Sequence, residues 1–185
     1  MNVSEAVASR KSIRNFLDTP VENETLESLL TRAARAPSGG NLQPWQIYVV
    51  NGTRMTDLHA HLADRTEREK PAYPIYPAEL GEPYRSRRFK VGEDMYALLG
   101  IPRDDKPARF AHLARNFSFF GAPAGFFCYV DRNMGPPQWS DLGMFLQTFM
   151  LLASEAGLAT CAQEAWATRP DAVSSFVQAP AEQML

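Results

Sequence analysis

Histidine and cysteine are scarce in this chain, and their scarcity removes several kinds of chemistry. Three histidines (His59, His61, His112) and two cysteines (Cys128, Cys161) are spread over 185 residues. None of them stands at metal-ligand spacing from another ligand, so no metal is expected. No Ser/His/Asp or Cys/His nucleophile is recognisable either, which leaves any chemistry to a cofactor. A surplus of one charge is also missing. Lys and Arg number 19 against 21 Asp and Glu, for a net charge of -2. That balance argues against nucleic acid and against an anionic membrane as partner. No apolar run reaches the roughly 18 residues of a membrane span. Arg10, Lys11, Arg14 and Asp18 break up the pattern that a secretory leader requires. With no repeat and no linker, residues 1–185 are expected to form one domain. Each cysteine sits in an apolar, strand-like run. Both are therefore expected to be buried structural thiols of a reducing compartment, which places the chain in the cytoplasm.

What is present is enough to build a core: 45% of the residues are hydrophobic and 22% charged. Asn2 with Glu5 forms a capping pattern for a short first helix. Leu26, Leu29, Leu30, Ala33 and Ala34 recur at helical spacing after Asn23, a second candidate cap. QIYVVNG (46–52) reads as a strand apolar on both faces, hence central and covered. A helix over 53–70 carries Met55, Leu58 and Leu62. Residues 71–86 hold prolines and tyrosines in a run that reads as an excursion outside the core. Helices are expected near 87–99 and 105–119, and a strand at GFFCYV (125–130). Residues 139–156 are apolar nearly all round and predict a helix in the middle of the structure, ended by Gly157. LATCAQ (158–163) is expected as a third strand, and Thr168 as the cap of a last helix through Val177. Several helices around a few covered strands make an α+β domain.

Two stretches carry chemistry. Arg10, Lys11, Ser12 and Arg14 offer guanidinium forks, an ammonium and a hydroxyl just after a helix, which suits a monophosphate with one more cation beyond it. Alone, the turn reads first as a solvated basic surface. Pro37, Ser38, Gly39, Gly40, Asn41, Leu42 and Gln43 form a loop in which glycine permits close backbone approach. The amides of Asn41 and Gln43 both donate and accept, as a flavin edge or ribityl chain requires. Composition alone leaves this an ordinary helix-to-strand loop. One amphipathic helix separates the two stretches.

Together with FGAPAGFFCYVD and DLGMFLQTFMLLASEAGLATCAQEAW, the stretches RKSIRNF and ARAPSGGNLQPWQIYVV resemble the nitroreductase family of flavoproteins, in order and over nearly the whole chain. The resemblance implies a nitroreductase-like fold, a central and mostly antiparallel sheet surrounded by helices, with FMN at a homodimer interface. It assigns the phosphate to Arg10, Lys11 and Ser12, and places the Arg14 cation at flavin N1 and O2, where it would stabilise the negative charge of the reduced ring. Pro37, Ser38, Gly39, Asn41 and Gln43 would lie along the flavin, partly that of the partner subunit. Gln163, Glu164 and Ala165 match the segment whose backbone N–H, at Glu164, points at N5. Asp141, Gly143 and Gln147 match positions on the central helix and are read as structural, with Gly143 admitting a neighbouring helix.

The implied reaction passes two electrons from NAD(P)H to a nitroaromatic, a quinone or a related small acceptor by a ping-pong cycle, with Phe117, Phe119 and Phe120 available to stack on a flat substrate. Two other readings stay open: reductive dehalogenation, with Glu79, Tyr84 and Arg85 as a lid, and flavin binding without turnover. Two departures stand out. Ala162 and Ala165 replace the Pro and Gly of many relatives. The sequence also stops at AEQML, where relatives continue into a further strand and a C-terminal segment, so a shortened chain is expected.

Overall fold

The computed structural model describes residues 1–185. Helix α1 (Val3–Ser9) opens with the expected capping box: Asn2 accepts from the Glu5 N–H, and Glu5 accepts from the Asn2 N–H. Helix α2 (Asn23–Ala33) begins one residue earlier than expected, with Glu22 at its cap position and no side-chain cap. The Asn23 oxygen is unavailable because it accepts from Asn51 Nδ2 at 2.9 Å. Strand β1 (Gln46–Asn51) and helix α3 (Thr53–Ala63) follow, the latter shorter than its apolar pattern suggested. No helix or strand covers 64–83; helix α4 (Tyr84–Leu98) starts inside the expected excursion. Helix α5 (Lys106–Ala114), capped by Asp105, runs into a 3₁₀ turn over Arg115–Gly121.

Strand β2 (Ala124–Asp131) leads to the long helix α6 (Pro136–Glu155). Two prolines open α6, where a missing N–H costs nothing, and Gly157 at φ +77 closes it. Helix α7 (Pro170–Val177) and a two-residue β3 (Gln183–Met184) complete the chain. Thr168 does not cap α7; its hydroxyl donates to the Ala165 carbonyl at 2.7 Å. The distant Glu69 carboxylate accepts from Asp171 and Ala172 N–H instead, and pairs with Arg169 at 3.1 Å. An anion at a helix N-terminus suits the exposed N–H groups there.

The sheet is antiparallel in the order β1-β2-β3. β1 pairs with β2 from Gln46↔Tyr129 to Asn51↔Ala124, whereas β3 meets β2 only at Val130 and Asp131. β1 is therefore an edge strand, not a central one. Strand alternation sends Tyr48, Val50, Phe127 and Tyr129 to one face, where Met55, Leu58, Val173 and Phe176 of α3 and α7 cover them. Ile47 and Phe126 face the other side, against Leu29 and Ala33 of α2 and Phe145, Phe149 and Ala153 of α6. Helix α6 is consequently buried along one stripe, at Asp141, Phe145, Phe149 and Ala153, a four-residue repeat that is one helix face. Its apolar remainder stays accessible: Trp139 is 43% exposed. The result is the α+β architecture expected, with three layers. The expected third strand at 158–163 is not formed. Only an isolated parallel bridge joins Ser12 to Thr160.

Candidate functional site

That bridge positions the basic turn. The Ile13 N–H donates to the Thr160 carbonyl at 3.0 Å, Phe16 N–H to the Phe120 carbonyl at 3.3 Å, and Arg115 Nη2 to Asn15 Oδ1 at 2.9 Å. Backbone and neighbours hold the segment while its side chains point outward. Lys11, Ser12 and Arg14 are exposed and Arg10 is half-buried. None of the three cations pairs with a carboxylate. The one bond from Arg14 is a long 3.4 Å contact to the Ser12 carbonyl.

The segment across the bridge is tightly wired. Gln163 Nε2 donates to the Asn116 carbonyl and side-chain oxygen at 3.1 and 3.0 Å, and Gln163 Oε1 accepts from Trp166 Nε1 at 3.2 Å. The Tyr73 hydroxyl donates to Glu164 Oε2 at 2.6 Å, and Ala72 N–H donates to the Ala167 carbonyl at 2.8 Å. Burial first, and then the Glu164 carboxylate, hold the Tyr73 phenol well above its usual range. Trp166 is buried among Phe119, Phe127 and Phe117, at centroid distances of 4.8, 5.0 and 5.3 Å. Thr160 Oγ1 is buried without a hydrogen-bond partner. The Cys161 thiol is pushed up by burial and pulled partly back by the Arg14 cation.

The Ser38–Gln43 loop is anchored elsewhere. The buried Asp141 of α6 accepts from Gly39 N–H through both oxygens, at 3.3 Å each, and Ser38 Oγ accepts from Gln43 N–H at 3.0 Å. Gly40, Asn41 and Gln43 take left-handed backbone (φ +59, +56 and +50). That is easy for Gly and tolerable for Asn, but a strained state for Gln. Asn41 Oδ1 accepts from Gln43 Nε2 at 3.1 Å on the exposed surface.

A cavity of about 780 Å³ lies between α6, β2 and residues 157–167. Its walls are largely apolar, with Trp139, Leu142, Leu146 and Phe149 of α6 opposite the Thr160–Glu164 segment. The side chains of Arg10 to Arg14 stand outside this cavity, but Phe16 and Leu17 just after them, and the Thr160–Glu164 segment across the bridge, line it.

The whole arrangement coincides with a known family. The family model for the nitroreductase family matches residues 7–185. The chain belongs to the nitroreductase family. It is 38% identical over 173 residues to a 4-nitrobenzoate reductase of Pseudomonas putida, covering 92% of this chain and 76% of that one. It is 35% identical over 188 residues to a nitrobenzene nitroreductase of Ectopseudomonas oleovorans, covering 99% and 82%. Among solved structures it resembles the FMN and NADPH-dependent nitroreductase NfnB of Sphigopyxis sp. strain HMH, with a TM-score of 0.93 and 47% identity, over all of this chain and 85% of that one. The family, the fold and the oxidoreductase class expected from the sequence hold, and such relatives support FMN with NAD(P)H as donor. No helix is long and apolar enough to cross a membrane.

The structure places the expected site residues in two groups. Arg10 to Arg14 and Gln163 to Ala165 are brought together, whereas Ser38 to Gln43 belong to a separate exposed patch fixed by Asp141. The Gln163 side chain is committed to the protein and has only its backbone to offer. Phe120 is buried and Phe117 packs on Trp166, both away from the cavity; of the three, only the largely buried Phe119 contributes to its wall. An added Cβ at Gly125 would lie 2.9 Å from the Phe119 ring, which explains that glycine. Within this chain no helix packs on Gly143: nothing approaches its Cβ position within 4 Å, and it lines the cavity. Both cysteines are half-buried, short of the full burial expected; burial still pushes the Cys128 thiol up to about 12, and Cys161 lies outside any strand. Tyr73 and Asn116 were missed as site residues because their partners lie 91 and 47 residues away.

Proposed function

We propose that this chain is an FMN-dependent oxidoreductase that takes two electrons from NAD(P)H and gives them to a nitroaromatic acceptor, with quinones as further acceptors. One observation carries the reading. Three cations without carboxylate partners stand on a turn pinned to a segment that leaves a buried hydroxyl, Thr160 Oγ1, unsatisfied. This donor set suits a phosphomonoester joined to a polar chain and ring. Arg10, Lys11 and Ser12 would hold the phosphate, and Arg14 would offer positive charge to the ring's pyrimidine side. The Gln163–Ala165 backbone would offer N–H groups, kept in place by Asn116 and Tyr73. Pro37, Ser38, Gly39, Asn41 and Gln43 would complete a second site across a homodimer, in which the exposed Phe89, Val91 and Leu98 of α4 would find cover.

When bound, the flavin supplies two-electron storage between donor and acceptor. Donor and acceptor would use the site in turn, as a ping-pong cycle requires, and the protein would work in the cytoplasm. No observation favours the dehalogenation reading, since Arg85 is paired with Glu82 at 2.8 Å. The test begins with the purified protein: a flavin spectrum, release of the pigment and its identification as FMN. NADPH oxidation that rises with added nitrobenzene then separates turnover from mere binding. Colourless protein that gains no flavin from solution overturns the reading, and a monomer in sedimentation that holds FMN overturns the dimer.

A further inference from the structure

Relatives of similar identity differ in whether their acceptor carries a charge, one being described as a nitrobenzoate reductase and another as a nitrobenzene reductase. The cavity bears on this choice. Among its lining residues Glu164 alone is charged, and no Lys, Arg or His joins it. Arg14, the cation that acts on neighbouring Cys161, is assigned to the flavin in the reading above. The Glu164 carboxylate is not free to turn away, because the Tyr73 hydroxyl holds it at 2.6 Å. Tyr73 in turn lies against Trp139, with centroids 5.6 Å apart and planes tilted by 50°. Both rings belong to the cavity wall. A flat, uncharged ring gains apolar and aromatic contact there. A benzoate would meet a fixed anion at the exposed edge of the cavity, with no counter-ion in the lining to receive it.

We propose that this site selects uncharged nitroarenes over carboxylate-bearing ones, with Glu164 as the discriminating residue and Tyr73 as the residue that positions it. The proposal rests on the flavoenzyme reading and deepens it.

The test compares kcat/KM for nitrobenzene, 4-nitrobenzamide and 4-nitrobenzoate in the flavin-loaded enzyme with NADPH. The amide is a neutral near-isostere of the carboxylate, so it separates charge from bulk. Nitrobenzene and the amide should exceed the benzoate by about tenfold or more, the scale of like charges a few ångströms apart. The difference should reside chiefly in KM. Glu164→Gln should narrow the amide-to-benzoate ratio by about threefold or more, again through KM. Tyr73→Phe frees the carboxylate without removing its charge, and should narrow the ratio less than Glu164→Gln does. A benzoate as good as the amide, or an amide as poor as the benzoate, overturns the proposal. So does a ratio that Glu164→Gln leaves in place. If Glu164→Gln does not fold, the three acceptors on the unmodified enzyme decide alone. Failure of all three acceptors with FMN bound counts against the enzyme reading; turnover that favours benzoate counts against this inference only.

Discussion

The two sides of the Ser12–Thr160 bridge use their polar groups in opposite ways. Residues 160–168 spend nearly everything on the protein: Gln163 on Asn116 and Trp166, Glu164 on Tyr73, Thr168 on Ala165. Residues 10–14 spend almost nothing, and their cations find no carboxylate. One side is therefore wired mainly into the protein, with Thr160 Oγ1 the exception, and the other keeps its cations unpaired. A group already satisfied by the protein contributes to stability, whereas a group left unsatisfied can contribute to binding. Substitutions on the two sides should separate these quantities.

Trp166→Ala should have the largest effect. It removes a buried ring from among three phenylalanines and should cost about 3–5 kcal/mol of stability, read from urea unfolding. A loss of less than about 1 kcal/mol would mean that the segment is not anchored in the core. Across the bridge the pattern should invert. Arg10→Ala should leave stability within about 0.5 kcal/mol but weaken FMN binding by about 1.5–3 kcal/mol. Fluorescence quenching during titration of apoprotein measures it, and an unchanged dissociation constant removes Arg10 from the site. Gln163→Leu returns to the wired side. It orphans two Asn116 oxygens and the Trp166 N–H, at about 1–3 kcal/mol of stability. If it weakened FMN binding and left unfolding unchanged, the division of labour drawn here would fail.

The same division decides what could be read from sequence. Local signals were legible: the Asn2–Glu5 box, the Leu26–Ala33 stripe, the Gly157 stop and the cation cluster all act within a turn or two of chain. Long-range bonds were not. Asn23 looks like a cap until Asn51 takes its oxygen, and Thr168 looks like one until Glu69 arrives from 102 residues away. LATCAQ has the composition of a strand, but its backbone meets one residue of a neighbouring turn instead of a ladder. Phe119 and Phe120 looked available because nothing local reveals that two successive left-handed residues (φ +47 and +55) turn them into the core. The family and the unpaired cation cluster were therefore within reach of sequence, while the Tyr73–Glu164 and Asp141–Gly39 contacts required the fold.

The smallest expected effect bears on Arg14, which stands between the two sides: unpaired like its neighbours, yet close enough to perturb Cys161 and His112. If its charge also reaches the flavin, Arg14→Gln should lower the midpoint potential of the bound cofactor, because the reduced ring loses a stabilising cation. The scale is on the order of 30 mV for each ~1.4 kcal/mol in a two-electron couple. A reading of potential alone could be confused with a shifted loop, and Cys161 supplies the control. Burial raises that thiol's pKa and the Arg14 cation lowers it, so removing the cation should raise the pKa further. Less thiolate then exists at any pH below it, and alkylation of Cys161 should slow in flavin-free protein, where no cofactor intervenes. Cys128, for which burial is the sole cause of its raised pKa, should keep its rate in the same sample. A fall in potential together with a slower Cys161 reaction ties both to one charge. An unaltered potential with a slowed thiol would leave Arg14 beside the wired segment but facing away from the ring.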